Sequence, residues 1–252
     1  MKSFFKAYWK TLLFFALAGL VGGFCTGLYL LDSYPEEIVQ QVLEQGLDGM
    51  TLAVLTAVQY MGYGVVLGAM GIFLGKKVGL WKDERTLAAK PLLMATAVAT
   101  LGGLLLILPD VLYFGVHSPA IAASYATKPT LTYLVGAVIL GGVTEEVMLR
   151  LFMLSLVAWG LHKLFGKGRE TPSVAVLVAA NVLAALLFAA GHLPVNQMLF
   201  GLTPMIVLRC MLLNGGFGLL FGWLYRKYGL RYAMLAHGGC HVVSKMIWIL
   251  FI

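Results

Sequence analysis

Hydrophobic residues occur in long, nearly uninterrupted blocks along most of this chain, and short polar connectors separate the blocks. Each block is close to or longer than the ~20 apolar residues that a helix needs to cross a bilayer. Seven segments can be read: 11–31, 51–74, 91–114, 131–161, 173–193, 204–225 and 232–252. The pattern predicts an all-α, polytopic transmembrane helical bundle of about seven spans, with eight as the alternative count.

The bundle is expected to form one integral membrane domain with two parts. Residues 1–130 hold the first three spans and an acidic outer connector, and residues 131–252 hold the remaining spans and the motifs described below. Glycines recur at every fourth position in several spans, as at Gly19, Gly23 and Gly27. Small residues at this spacing predict close packing between transmembrane helices.

Composition agrees with a membrane class. The chain is 60% hydrophobic and 12% charged, with a mean hydropathy of +0.89, and a soluble domain carries about twice that charged fraction. The net charge is +7, but the basic residues are scattered through the connectors rather than gathered on one face. They therefore indicate no nucleic-acid partner, and the lipid bilayer is the expected surrounding.

The basic residues lie in alternate connectors, and this sets the expected orientation. Of the 18 Lys and Arg residues, 14 lie before the first span or in the second, fourth and sixth connectors. They are Lys2, Lys6, Lys10, Lys76, Lys77, Lys82, Arg85, Lys90, Lys163, Lys167, Arg169, Arg226, Lys227 and Arg231. By the positive-inside rule the N-terminus lies inside and the C-terminus outside. The compact length favours a bacterial plasma membrane.

Three charged residues interrupt the fourth segment: Glu145, Glu146 and Arg150. Each costs about 2.5–3.5 kcal/mol at the centre of a membrane helix, so an intramembrane ionisable group is a functional-site hypothesis. Glu146 and Arg150 are four residues apart and can pair on one helix face. Glu145 is turned by about 100° from Glu146 and is free to act as the working carboxylate. The alternative is that all three residues only hold the bundle together.

Histidines mark two further segments. Phe188 and His192 lie one turn apart in the fifth, with Asn181 close to the same face, and His237 and His241 share one face of the seventh. An isolated membrane histidine is equally consistent with an interhelical hydrogen bond. Counted from the inner ends of their helices, His192 lies about 28 Å and His237 about 9 Å into the membrane. These depths would keep the two imidazoles apart, but helix tilt or different helix boundaries can close the gap, and the order of the motifs is given more weight than the boundaries.

Three motifs now stand in order on separate helices: Glu145-Glu146-x-x-x-Arg150, Phe188-x-x-x-His192 and His237-x-x-x-His241. Their order resembles the CPBP family of intramembrane endopeptidases. That family includes the type II CAAX prenyl endopeptidases and the bacterial bacteriocin-processing or self-immunity (Abi) proteins. The resemblance covers roughly residues 131–252. It implies hydrolysis of a peptide bond in a membrane-associated substrate, either a prenylated protein or a peptide, inside a polar intramembrane cavity.

The resemblance also implies roles for the motif residues. Glu145 would activate a water molecule with help from His192, while His237 and His241 would hold that water or stabilise the oxyanion. The family usually has Asn at the position of His241, and an imidazole is not equivalent to an amide. The remaining implied site residues are Glu146, Arg150, Phe188 and Asn181, the last two as lining of the substrate cavity.

A divalent metal such as zinc is a second possibility for the same residues. Glu145, His192, His237 and His241 are of the His and carboxylate types that bind zinc. The glutamate-dependent and the metal-dependent mechanism both stay open at this point.

Two other classes of function remain in view. A proton-coupled transporter can use buried ionisable residues as a relay, here Glu145 with Asp110, Arg209, Asn214 and Lys245. Many carriers are built from repeats, and no repeat is visible in this chain. A non-catalytic membrane scaffold or immunity protein is the third class, to which His241 in place of Asn gives some weight. Neither the substrate nor the oligomeric state follows from the sequence.

Overall fold

The computed structural model describes residues 2–83, 86–166 and 168–252, and within these ranges the chain is almost entirely helical, with no β-strand. Arg85 and Lys167, counted above for orientation, lie outside the described residues. In the first half, the helices are α1 (Lys2–Ser33), α2 (Glu36–Glu44), α3 (Gly49–Lys77), α4 (Ala89–His117) and α5 (Pro119–Ser124). In the second half they are α6 (131–165), α7 (Val174–Phe200), α8 (Pro204–Tyr228) and α9 (Leu230–Phe251).

Six of these helices, α1, α3, α4, α7, α8 and α9, are long and apolar enough to cross a membrane. The predicted fourth segment is occupied by α6, which is helical along its whole length. The predicted all-α bundle is therefore confirmed, and the chain is an integral membrane protein. The largest differences are the start of α1, which begins at Lys2 rather than at residue 11, and the end of α7, which continues to Phe200 although it contains Pro194. Membrane helices tolerate an internal proline because neighbouring groups satisfy the freed backbone carbonyl.

Polar side chains fix the starts of several spans. Asp48 accepts a hydrogen bond from the Thr51 amide at 2.7 Å and caps α3. Ser173 and Thr203 cap α7 and α8 in the same way. A capping oxygen satisfies one of the free N–H groups in the first turn, which lets each helix begin sharply at its connector.

Glycines set the distances between the helices. A side-chain carbon at Gly23 in α1 would lie 2.7 Å from the Thr56 carbonyl oxygen in α3, and one at Gly142 in α6 would lie 2.6 Å from the Gly238 Cα in α9. No side chain fits at such separations. The glycine spacing in the sequence thus corresponds to backbones in direct contact, as expected for transmembrane packing.

The middle of α6 is wound more widely than an α-helix. It makes π-type turns from Ala137 to Glu145 and from Val147 to Leu154. Such turns are uncommon and often occur at functional sites. Glu145 and Arg150 lie within these turns, and Glu146 lies between them. The separation of about 100° between Glu145 and Glu146 assumed α-helical geometry, so this angle does not apply along the π-wound stretch.

Candidate active site

Glu146 lies at the centre of the polar cluster and is fully buried. Its Oε2 atom faces Arg150 Nε at 3.4 Å, which is the pair predicted from the spacing. Its Oε1 atom lies 2.9 Å from His237 Nδ1 on α9. The carboxylate thus joins the first motif to the third, a contact that the sequence did not assign.

Arg150 brings two further helices to this cluster. Its guanidinium lies 5.0 Å from the ring centre of Phe188 in α7 and 5.6 Å from that of Phe221 in α8. The Phe221 ring also stacks on His237, with 4.4 Å between the ring centres. Arg150 is only 2% exposed, and its guanidinium nitrogens have no hydrogen-bond partner within the described part of the chain. Ring faces attract a cation, so these two rings stabilise the positive charge of Arg150, for which Glu146 is the counter-ion.

The contact with Glu146 fixes the tautomer of His237. An ionised carboxylate only accepts hydrogen bonds, so His237 Nδ1 carries the hydrogen and donates it to Glu146 Oε1. In the neutral imidazole, the other ring nitrogen, Nε2, then has the free lone pair. A carboxylate that holds one side of an imidazole also fixes the direction of the other side. Arg150 and Glu146 therefore orient His237 Nε2.

Both imidazoles of the third motif point at Gly141 on α6. A side-chain carbon at Gly141 would lie 2.6 Å from His241 Nε2 and 3.4 Å from His237 Nε2. The ring centres of His237 and His241 are 5.0 Å apart. Because glycine has no side chain, the two ring nitrogens approach the α6 backbone closely at this one position.

Glu145 faces a different part of the bundle from Glu146. It is half-buried and acts electrostatically on the hydroxyl groups of Tyr29 in α1 and Tyr60 in α3. Glu146, in contrast, faces α9. The two adjacent glutamates are thus separated in direction, and Gly141 lies one turn before Glu145 on the same helix.

His192 does not join the imidazole pair. Its Nδ1 atom lies 2.9 Å from the Phe188 carbonyl oxygen of its own helix, and its ring makes an edge contact with the Phe188 ring at 4.6 Å. It has no hydrogen bond with Glu145, His237 or His241, so the single site that the motif order predicted is not assembled around this imidazole. Phe188, one turn earlier, is the residue of this motif that reaches Arg150.

Asn181 connects α7 with α8. It is buried and its Nδ2 donates to the Leu219 carbonyl oxygen in α8 at 3.0 Å. Its side chain packs directly on Gly222. These contacts describe a helix–helix hydrogen bond, and the cavity-lining role expected for Asn181 and Phe188 remains a prediction.

The four candidate metal ligands do not come together. Among the residues that the structure describes, no three His, Cys, Asp or Glu side chains form a group able to hold a metal ion. Glu145, His192, His237 and His241 all belong to the described residues. In this arrangement the donor set does not fit a metal ion.

A second buried polar network lies beside the second motif. Arg209 donates from Nε to Asp110 Oδ1 at 2.7 Å and from its terminal nitrogen to Oδ2, which also accepts from the Tyr125 hydroxyl at 2.9 Å. Arg209 further donates to Asn196 Oδ1 at 3.3 Å, and Asn196 donates to the His192 carbonyl oxygen at 2.8 Å. The network ties α4, α7 and α8 together. In the sequence, this network was indicated by ionisable residues inside apolar segments.

The comparison with known families covers the same region as the motifs. A family model described as type II CAAX prenyl endopeptidase Rce1-like matches residues 127–243. No curated protein and no solved structure matches the chain. The matched segment runs through α6 to α9 and contains every motif residue from Glu145 to His241. Residues 127–243, just under half of the chain, are therefore similar to the Rce1-like type II CAAX prenyl endopeptidases, and this match agrees with the family that the three motifs resemble.

Proposed function

We propose that this protein is an intramembrane endopeptidase that hydrolyses a peptide bond of a membrane-associated substrate. The observation that carries the proposal is the convergence of His237 Nε2 and His241 Nε2 at Gly141, inside a segment that matches an endopeptidase family. Peptide hydrolysis needs an activated water molecule and a donor for the oxyanion. Two oriented imidazoles beside a carboxylate supply both.

In the proposed mechanism Glu145 is the general base. It is half-buried, it has no partner of opposite charge among the described residues, and it lies one turn from Gly141. Once the Glu145 side chain turns from Tyr29 and Tyr60 toward α9, a water molecule bound by the two Nε2 atoms would lose its proton to Glu145 and attack the carbonyl carbon of the substrate. General-base catalysis of this kind contributes about 10²–10⁴-fold.

His241 and His237 are proposed to act on the carbonyl oxygen and the water. An Nε2–H group on His241 would donate to the oxyanion that forms during attack, a role the family usually gives to an asparagine. His237 Nε2, oriented by Glu146, would accept a hydrogen bond from the water. Preorganised groups of this kind are worth more in a water-poor site than in bulk solvent, because they need no reorientation during the reaction.

His192 is proposed to assist only after its side chain rotates. In the present arrangement it hydrogen-bonds Phe188 of its own helix. Catalytic contacts are often long or misaligned before substrate binds, so the assisting role implied by the family requires the imidazole to leave that carbonyl. No step in this mechanism uses a metal ion.

The proposal can be tested with purified protein in nanodiscs and a fluorogenic farnesylated peptide. Glu145→Gln is expected to lower kcat by at least about 10²-fold, with an unchanged thermal unfolding temperature. Glu44→Gln, the same change at an exposed residue of α2, is the matched control and should leave kcat unaltered. Full turnover by Glu145→Gln would show that this residue is not the base.

A metal analysis of the same preparation separates the two mechanisms that the sequence left open. Because the four candidate metal ligands do not form one group, activity should persist in chelator-treated protein. Loss of activity on chelation, with recovery on adding Zn²⁺, would contradict the mechanism proposed here. If wild-type protein instead moves protons or solutes in a Glu145-dependent way without cleaving peptides, the transporter class is favoured.

A further inference from the structure

A cavity of about 270 Å³ lies at the end of the bundle where α9 begins. Three parts of the chain enclose it: the first half of α1, the connector between α3 and α4, and the junction of α8 with α9. Its lining includes Trp81, Tyr228 and Tyr232. Tryptophan and tyrosine are enriched where membrane proteins meet the headgroup layer, so the cavity lies at the level of the lipid headgroups.

The charged side chains that line this cavity are mostly basic. Among the described residues they are Lys10, Lys82 and Arg231, with Asp83 as the one acidic residue. None of these four forms a salt bridge with a described residue. Lys82 donates a hydrogen bond to the Lys227 carbonyl oxygen at 2.6 Å, which leaves its charge without a counter-ion. The basic cavity, as we call it, therefore carries an excess of positive charge and favours an anion.

Hydrogen-bond donors also line the basic cavity. The buried Nε1–H of Trp81 has no acceptor among the described residues. The buried Tyr232 hydroxyl accepts from the Ala88 amide at 2.8 Å, which leaves its own hydrogen available. Helix α9 begins here, at Leu230, without a side-chain cap, and the first N–H groups of a helix attract anions. A phosphate group suits this wall, because it carries negative charge and several acceptor oxygens.

The apolar side of the basic cavity continues onto the lipid-facing surface of α1. Phe14 lines the cavity, and Leu17 and Val21 follow it at three and seven residues, so the three side chains share one helix face. All three are exposed, as expected for side chains that contact acyl chains. A molecule with a phosphate at one end and hydrocarbon at the other would cover both surfaces, whereas a free phosphate would cover only the first.

We propose that the basic cavity binds the headgroup phosphate of an anionic phospholipid, whose acyl chains lie along Phe14, Leu17 and Val21. Basic pockets between transmembrane helices bind headgroups of this kind. A zwitterionic lipid fits less well, because its cationic group meets the same positive side chains. The bound lipid contacts α1, the connector between α3 and α4, and α9 together, so its binding stabilises the folded protein.

The test measures the dissociation constants of phosphatidylglycerol and phosphatidylcholine for the full chain in detergent, by native mass spectrometry. The wild type is expected to bind phosphatidylglycerol about tenfold more tightly or better, and to unfold at a higher temperature in its presence. Lys10→Gln combined with Arg231→Gln should weaken phosphatidylglycerol binding about ten- to thirtyfold and leave phosphatidylcholine binding unchanged. Both side chains are exposed, so this double variant should unfold at the wild-type temperature when no lipid is added.

Lys163→Gln combined with Arg169→Gln is the matched control. It removes the same charge from exposed residues at the connector between α6 and α7, on the same predicted side of the membrane, and should keep the wild-type affinity. Equal binding of both lipids by the wild type would overturn the proposal, and so would an equal loss of affinity in the two double variants. Glycerol 3-phosphate separates a lipid from a free phosphate. Much weaker binding of this compound supports the lipid, and binding as tight as that of phosphatidylglycerol refutes it.

Discussion

The absence of a side chain at Gly141 lets two imidazoles pack against α6, so one added carbon atom at this position perturbs the candidate site directly. In Gly141→Ala the new Cβ would lie 2.6 Å from His241 Nε2 and 2.9 Å from its Cδ2. The His241 ring must retreat by about 0.8 Å to reach the 3.4 Å of an ordinary van der Waals contact. Because α6 and α9 are already in backbone contact nearby, at Gly142 and Gly238, the helices themselves cannot easily move apart.

Two effects follow from that displacement. Overpacking of a well-filled interior costs about 1–3 kcal/mol, so the variant should unfold at a lower temperature than the wild type. A misplacement of about 1 Å at a reacting group costs about 10²-fold in rate, so kcat/KM for the farnesylated peptide should fall by about that factor. The loss of rate should exceed what the loss of stability explains, because the variant is still folded at the assay temperature.

Gly160→Ala is the control for this experiment. Gly160 also lies in α6, but no atom lies within 4 Å of the position that its Cβ would occupy. Alanine has the higher helix propensity, by about 0.8–1.0 kcal/mol, so this variant should be as stable as the wild type or more so, with unchanged kcat/KM. If Gly141→Ala behaved like Gly160→Ala in both assays, the space beside Gly141 would not be part of an active site.

Two further predictions concern stability. Arg209→Met leaves the Asp110 carboxylate, which is 1% exposed, without its counter-ion and should lower the free energy of unfolding by about 3–5 kcal/mol. The double variant Arg209→Met with Asp110→Asn should recover part of this loss, and additive losses in the two single variants would contradict the pairing. The hydrogen bond from the Thr51 amide holds the pKa of Asp48 below its ordinary value. The cap therefore contributes fully to stability at pH values above the ordinary carboxyl pKa, and this contribution is lost as the pH falls through the lowered pKa of Asp48. The protection of the Thr51 amide against hydrogen exchange, measured relative to an unstructured amide at the same pH, should fall over that acidic range in the wild type and not in Asp48→Asn. Identical pH profiles of this protection would refute the capping argument.

The helices were predictable because the apolar blocks are long and their connectors are charged. What the pattern could not give was the local winding of α6, since π-type turns leave no mark in the hydrophobic periodicity. The hydrophobic pattern also placed the end of α7 at residue 193, seven residues before its actual end at Phe200. The apolar run is weaker after Pro194, and only packing against α8 and Asn196 bonding back to its own helix show why the chain stays helical there.

The candidate site was predictable where it depends on one helix and not where it depends on two. The Glu146–Arg150 pair follows from a spacing of four residues, and the structure contains it. The contact of Glu146 with His237 joins residues 91 positions apart, and it exists because α6 and α9 approach at Gly142 and Gly238. Phe221 gave no signal at all, because a phenylalanine stacked on an imidazole is indistinguishable in sequence from one that faces lipid.

The same contact changes the division of work between the two glutamates. The sequence separated a structural residue, Glu146, from a working residue, Glu145. In the structure Glu146 holds both Arg150 and His237, and Arg150 in turn packs on Phe221, the ring that stacks on that histidine. Removing the charge of Glu146 would therefore release His237 and leave a buried guanidinium without its counter-ion at the same time. An ion pair inside the membrane is costly to keep, and this one is explained if its use is to aim His237 Nε2 at the space beside Gly141.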